Sequence, residues 1–101
     1  RDRGLRYYTR QSEYETSPVL YREAAGVWLD CFERDWVSEG IIAGHLYQQK
    51  PVCLVSPELH RRNHLSFWER LRKMRSLIND DRLMLCTDYP EKARLFFHES
   101  N

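Results

Sequence analysis

The stretch Pro51-Val52-Cys53-Leu54-Val55-Ser56-Pro57-Glu58-Leu59-His60 decides how this chain folds. Its first half is apolar at nearly every position. A strand wetted on one face would instead alternate apolar and polar residues. A near-continuous apolar run is the mark of a strand covered on both faces, as in parallel sheets. Polar and turn-forming residues follow at once, so the run is short. The same design recurs upstream in Gly26-Val27-Trp28-Leu29-Asp30-Cys31-Phe32 and downstream in Leu83-Met84-Leu85-Cys86-Thr87. Leu5-Arg6-Tyr7-Tyr8-Thr9, aromatic and β-branched, is a fourth candidate strand.

Helical patterns with start signals follow these runs. Ser17-Pro18 has the form of an N-cap and a Pro at the first helical position, opening a short helix through Ala25. Ser38 caps a helix whose apolar side holds Ile41, Ile42 and Leu46, with His45 beside them. Ser66 and Glu69 have capping-box spacing ahead of Leu71, Met74 and Ile78. Asp88, Pro90 and Glu91 open a last helix bearing Ala93, Phe96 and Phe97. The expected order is βαβαβαβα over residues 1–101, a single α/β unit with parallel strands and right-handed crossovers. Two architectures satisfy that order: half of a TIM-type barrel, or a small open doubly wound sheet.

Composition narrows the function classes. Sixteen basic and 15 acidic residues leave a formal charge of +1, which offers no general attraction to nucleic acid or an anionic membrane. No apolar run approaches the roughly 20 residues of a membrane span. The first residue is Arg1 and no apolar stretch follows it, so the start is treated as arbitrary and not as a signal peptide. Cys31, Cys53 and Cys86 are widely spaced and sit in apolar runs. They are expected to be reduced core residues in a cytoplasmic setting, and no close Cys or His pairs point to zinc. GxxxxGK[ST], GxGxxG, GxSxG, HExxH and CxxC are all absent, which removes support for nucleotide-loop, serine-hydrolase and zinc-protease chemistry.

In either architecture the site lies at the C-terminal ends of the strands. Those ends carry Arg10, Gln11, Ser12 and Glu13, then Asp30 and Glu33, then Ser56, Glu58 and His60, then Thr87 and Asp88. Such a rim suits a phosphate, a metal ion or a polar small molecule. Each member also has a plainer role. Asp88 reads as a helix N-cap, Ser56 as turn chemistry, and Arg10 as a partner for Glu13 or Asp30. Asp30 has no cap motif behind it, and Glu58 and His60 share one loop. The basic stretch from His60 to Arg75 reads as the solvated face of an amphipathic helix.

Three strings, Gly26-Val-Trp-Leu-Asp-Cys-Phe32, Val52-Cys-Leu-Val-Ser-Pro-Glu-Leu-His60 and Leu85-Cys-Thr-Asp-Tyr-Pro90, resemble the later strands of the glycerophosphodiester phosphodiesterase family of TIM-barrel phosphodiesterases. The resemblance implies that the chain is the C-terminal half of a barrel, with Thr87-Asp88-Tyr89-Pro90 closing the last strand. It implies a phosphodiester substrate and, in the complete barrel, a divalent cation, Mg or Ca. It implies substrate contacts from Arg10, Asp30, Glu58 and Thr87, to which the rim adds His60. The family's His-Arg-Gly and Glu-x-Asp strings are missing, so no catalytic residue is assigned and the chain alone is expected to be inactive. Two other readings stand beside this one. One is a non-catalytic interaction or regulatory domain. The other is a homo-oligomer in which two copies close one barrel, since open strand edges and an apolar inner face favour association.

Overall fold

A computed structural model of the chain describes residues 8–14, 16, 21–22 and 24–98. Four strands form one parallel sheet: β1 (Tyr8–Gln11), β2 (Gly26–Leu29), β3 (Val52–Val55) and β4 (Leu83–Cys86). Helix α1 (Glu39–Tyr47) joins β2 to β3, a 3-10 turn (Pro57–His60) and α2 (Leu65–Arg72) join β3 to β4, and α3 (Pro90–His98) follows β4. The strands lie side by side in the order β1-β2-β3-β4. That order never reverses, so the sheet has no switch point and is not doubly wound.

The register explains where the helices lie. One face carries the rows Thr9, Val27, Val52, Leu83 and Gln11, Leu29, Leu54, Leu85. Val27, Leu29, Val52 and Leu54 from these rows share one core with Ile42 and Leu46 of α1, Phe67, Trp68 and Leu71 of α2, and Ala93 of α3. The other face carries Arg10, Trp28, Cys53 and Met84 in one row. None of the four belongs to that core, and Trp28 and Met84 are 36% and 41% exposed. All three helices therefore cover one face, as in half of a barrel, and the opposite face has no helix among the described residues. At the β4 edge the covered side thins to an apolar groove of about 80 Å³ between Leu54, Leu71, Leu83 and Phe97.

Local chemistry sets the helix ends. Ser38 caps α1, its hydroxyl accepting the Ile41 N–H at 3.3 Å, and Glu39 adds a carboxylate to the first turn. At the other end Gln49 takes φ 65°, and the N–H groups of Gln49 and Lys50 reach the carbonyls of Leu46 and His45. This is a Schellman closure with a non-glycine residue in the left-handed position. The capping box expected at Ser66 does not form. α2 starts at Leu65 behind His64 and stops at Arg72, leaving buried Met74 in the turns beyond it. The expected helix from Ser17 falls largely outside the described residues; Tyr21 and Arg22 form a turn, and Ala24 and Ala25 are not helical.

The basic stretch is only in part a solvated face. Arg61, Lys73 and Arg75 are exposed. Arg62 donates to the Cys31 carbonyl and to Asp35, Arg70 donates to the Val37 carbonyl at 2.6 Å, and Arg72 stacks on Phe96. The first two pin the loop that follows β2. All three cysteines are free thiols, and burial pushes Cys31 and Cys53 up to about 11. Among the described residues no helix is long and apolar enough to cross a membrane.

Three glycine-related substitutions test this backbone. A Cβ on Gly26 would lie 2.6 Å from the Pro51 carbonyl oxygen and from the Tyr8 ring. Gly26→Ala is expected to destabilise the fold by roughly 1–3 kcal/mol. Gly44 has open space around it, so Gly44→Ala in α1 is expected to stabilise by about 0.5–1 kcal/mol. Gln49→Gly should relieve the left-handed position by up to about 1 kcal/mol. Urea unfolding midpoints read all three, and an unchanged midpoint for Gly26→Ala would refute the close approach.

Candidate functional site

Asp30 continues the alternation of β2 just past the strand end. Its N–H donates to the Gln11 carbonyl at 3.0 Å, and its own carbonyl accepts from Trp36 Nε1 at 2.7 Å. The backbone is thus held on both sides, and the side chain is only 5% exposed. A carboxylate this deep is costly to ionise without partners. It has two: His60 Nε2 lies 2.5 Å from Oδ1, and Arg10 Nη1 lies 3.7 Å from Oδ2. The Phe32 ring completes the arrangement, 4.4 Å from the His60 ring and 5.3 Å below the Arg10 guanidinium. Phe32 was not among the expected site residues. Its place in the run after β2 is visible in the sequence, but its contact with two charged groups is not.

His60 presents its Nε2 edge to Asp30 Oδ1. The 3-10 turn fixes this orientation. Arg61 closes the turn at φ 62°, its N–H reaching the Glu58 carbonyl and the Arg62 N–H reaching that of Pro57. His60 is held toward β2 on one side of this closure, and Arg62 grips the β2 loop on the other.

Glu58 leaves the same turn in another direction. Its carboxylate accepts from the Ser56 hydroxyl, from Thr87 Oγ1 and from the Asp88 N–H. Burial works to raise its pKa, but the Ser56 and Thr87 hydroxyls and the backbone N–H groups outweigh it, so the pKa is lowered. Ser56 is itself fully buried and accepts from Trp68 Nε1 at 2.9 Å, which ties the rim to the largest core side chain. Ser56 is therefore more than a turn residue. Asp88 does not cap α3; it meets Glu58 through its N–H, one residue short of Tyr89, whose carbonyl accepts the first helical N–H from Ala93.

The five expected site residues thus fall into two groups. Arg10, Asp30 and His60 meet over the ends of β1 and β2. Glu58 and Thr87 meet between β3 and β4. Glu13 joins neither Arg10 nor Asp30. Its carboxylate accepts three consecutive N–H groups, from Phe32 at 2.9 Å, Glu33 at 2.9 Å and Arg34 at 3.0 Å. Burial would raise its pKa, but the Glu33, Phe32 and Arg34 amides lower it from 4.5 to about 2. Sequence reasoning placed Glu13 on the rim without foreseeing this role, because the three amides come from a loop some 20 positions away.

A divalent cation finds no ready place here. Among the described residues no three His, Cys, Asp or Glu side chains converge on a point. The Asp30 and Glu58 carboxylates already serve the partners given above. The residues described do not by themselves fit a Mg or Ca site, and no chemical step is derived through one. No family model, no curated protein and no solved structure matches the chain.

Glu13 yields a pH signature. A depressed pKa contributes stability that is fully present above about pH 4.5 and is lost as pH falls toward about 2. Wild type is expected to lose unfolding free energy more steeply across that window than Glu13→Gln, in paired urea titrations at fixed ionic strength. Parallel curves would show that the three amide contacts do not hold in solution.

Proposed function

We propose that this chain is the C-terminal part of a phosphodiesterase-like barrel and that its rim binds a phosphorylated small molecule of the glycerophosphodiester type. The observation that carries this reading is the nearly buried Asp30 carboxylate held between His60 and Arg10 at the strand ends. Parallel α/β folds place ligand sites at that end of the sheet. Arg10 has a side chain 48% exposed, so its guanidinium faces solvent as well as Asp30. A guanidinium suits phosphoryl oxygens. An imidazole within reach supplies a further hydrogen-bonding group. Asp30 acts by orienting His60 and balancing charge. Glu58 and Thr87 offer polar contacts to the remainder of a substrate at the neighbouring strand ends.

Cleavage itself asks for more than this rim contains. No nucleophile stands beside His60 among the contacts described, and the resemblance puts the family's catalytic histidines in sequence that this chain lacks. The one-sided sheet agrees with a half-barrel. A non-catalytic interaction domain is the second reading, favoured by the exposed Trp28 and Met84 on the face that carries no helix among the described residues.

The two readings part on ligand binding. Glycerophosphocholine added to the isotope-labelled chain is expected to shift the resonances of Arg10, Asp30 and His60, with no hydrolysis in the presence of Mg or Ca. His60→Gln keeps a donor to Asp30 but removes the imidazole, and should weaken binding about tenfold or more. Absent shifts, or equal affinity in His60→Gln, would defeat the phosphodiester reading. Hydrolysis by the chain alone would defeat the view that its catalytic set is incomplete.

A further inference from the structure

The loop after β2 turns the N–H groups of Phe32, Glu33 and Arg34 toward one point. Three consecutive amides converging on two carboxylate oxygens at 2.9–3.0 Å form a concave anion cradle of the kind that holds phosphate elsewhere in proteins. Arg62 and Arg70 brace the loop from α2 and the turn before it, through the Cys31 and Val37 carbonyls and Asp35. The cradle is therefore built from outside itself, not by Glu13 alone. It begins two residues after Asp30, and Arg10 lies over the ring of its first residue, Phe32.

We propose that the 32–34 backbone is a phosphate-binding subsite, and that Glu13 is its resident anion, holding the subsite closed until a phosphorylated ligand displaces it. Glu13 lies two residues past the end of β1 and is only partly buried. Tyr14 beside it is 62% exposed. The Glu33 side chain turns to the Tyr14 hydroxyl, which raises that phenol's pKa. Removing Glu13 takes away the carboxylate that these three amides meet.

The competition has a definite direction. A carboxylate on the same chain acts at an effective concentration of order millimolar or more. Free inorganic phosphate must exceed that to enter. A ligand that also engages Arg10 and His60 gains contacts that Glu13 does not make, so it displaces the carboxylate where phosphate alone does not. This deepens the phosphodiester reading by giving its anionic group a place, and it makes binding conditional on a side chain that leaves.

The test uses inorganic phosphate and amide resonances. In Glu13→Ala, phosphate is expected to shift the Phe32, Glu33 and Arg34 amides with at least about tenfold higher affinity than in wild type. Chloride at equal ionic strength should not do so. Equal affinity in the two proteins, or no shift at these amides in a folded Glu13→Ala, overturns the proposal. Should Glu13→Ala unfold, millimolar phosphate is expected to restore its folded far-ultraviolet circular dichroism where chloride does not, and failure to restore it overturns the proposal. The His60→Gln comparison reads the wider phosphodiester site separately. Loss of the cradle response with His60-dependent binding intact defeats this inference alone, and the reverse result defeats only the wider reading.

Discussion

A parallel strand joined to its neighbour by a right-handed connection places the intervening helix on one face of the sheet, and the face changes only if the strand order reverses. Here the order β1-β2-β3-β4 never reverses. All three helices accordingly share one core with Val27, Leu29, Val52 and Leu54, while Arg10, Trp28, Cys53 and Met84 look the other way. The rest of the molecule follows from this winding. It gives the sheet one packed side and one side with no helix among the described residues, and it gathers all four strand C-termini along one rim.

That rim is polar but not uniformly so. Its charges are arranged in separate satisfied groups, each anchored to something rigid. Asp30 is fixed by backbone bonds to Gln11 and Trp36 before it meets His60 and Arg10. Glu58 is fixed by Ser56 and Thr87, and Ser56 in turn by Trp68 in the core. Glu13 is fixed by three amides of a loop that Arg62 and Arg70 hold from behind. Buried or half-buried carboxylates demand such partners, since an unpaired one costs several kcal/mol.

The strands were legible because burial on both faces leaves a mark at every position, as in Val52-Cys53-Leu54-Val55. The cap at Ser38 was legible because it is a contact within one turn. The start of α2 was not: Ser66 and Glu69 have the right spacing, yet the helix begins at Leu65, whose N–H donates to Asn63 Oδ1 at 2.8 Å. The Arg-rich stretch was legible as charge but misleading as surface, because Arg62 and Arg70 find their carbonyl partners about 30 residues away in sequence, across the β2 loop. Asp88 followed the same pattern, with its N–H taken by a distant carboxylate.

The sequence by itself determined the element types, their βα alternation and the residues found at the strand ends. Those properties depend on neighbours within a few positions, where periodicity and turn chemistry act. The tertiary structure alone decided which of those residues meet. Arg10, Asp30 and His60 come from three strand ends, and the Glu58–Thr87 pair and the Glu13 cradle each bridge two elements. Such pairings depend on register and on the direction a short turn takes, as when Arg61 at φ 62° sends His60 one way and Arg62 the other. No spacing along the chain encodes that choice, because its energy lies in contacts that exist only once the sheet has formed.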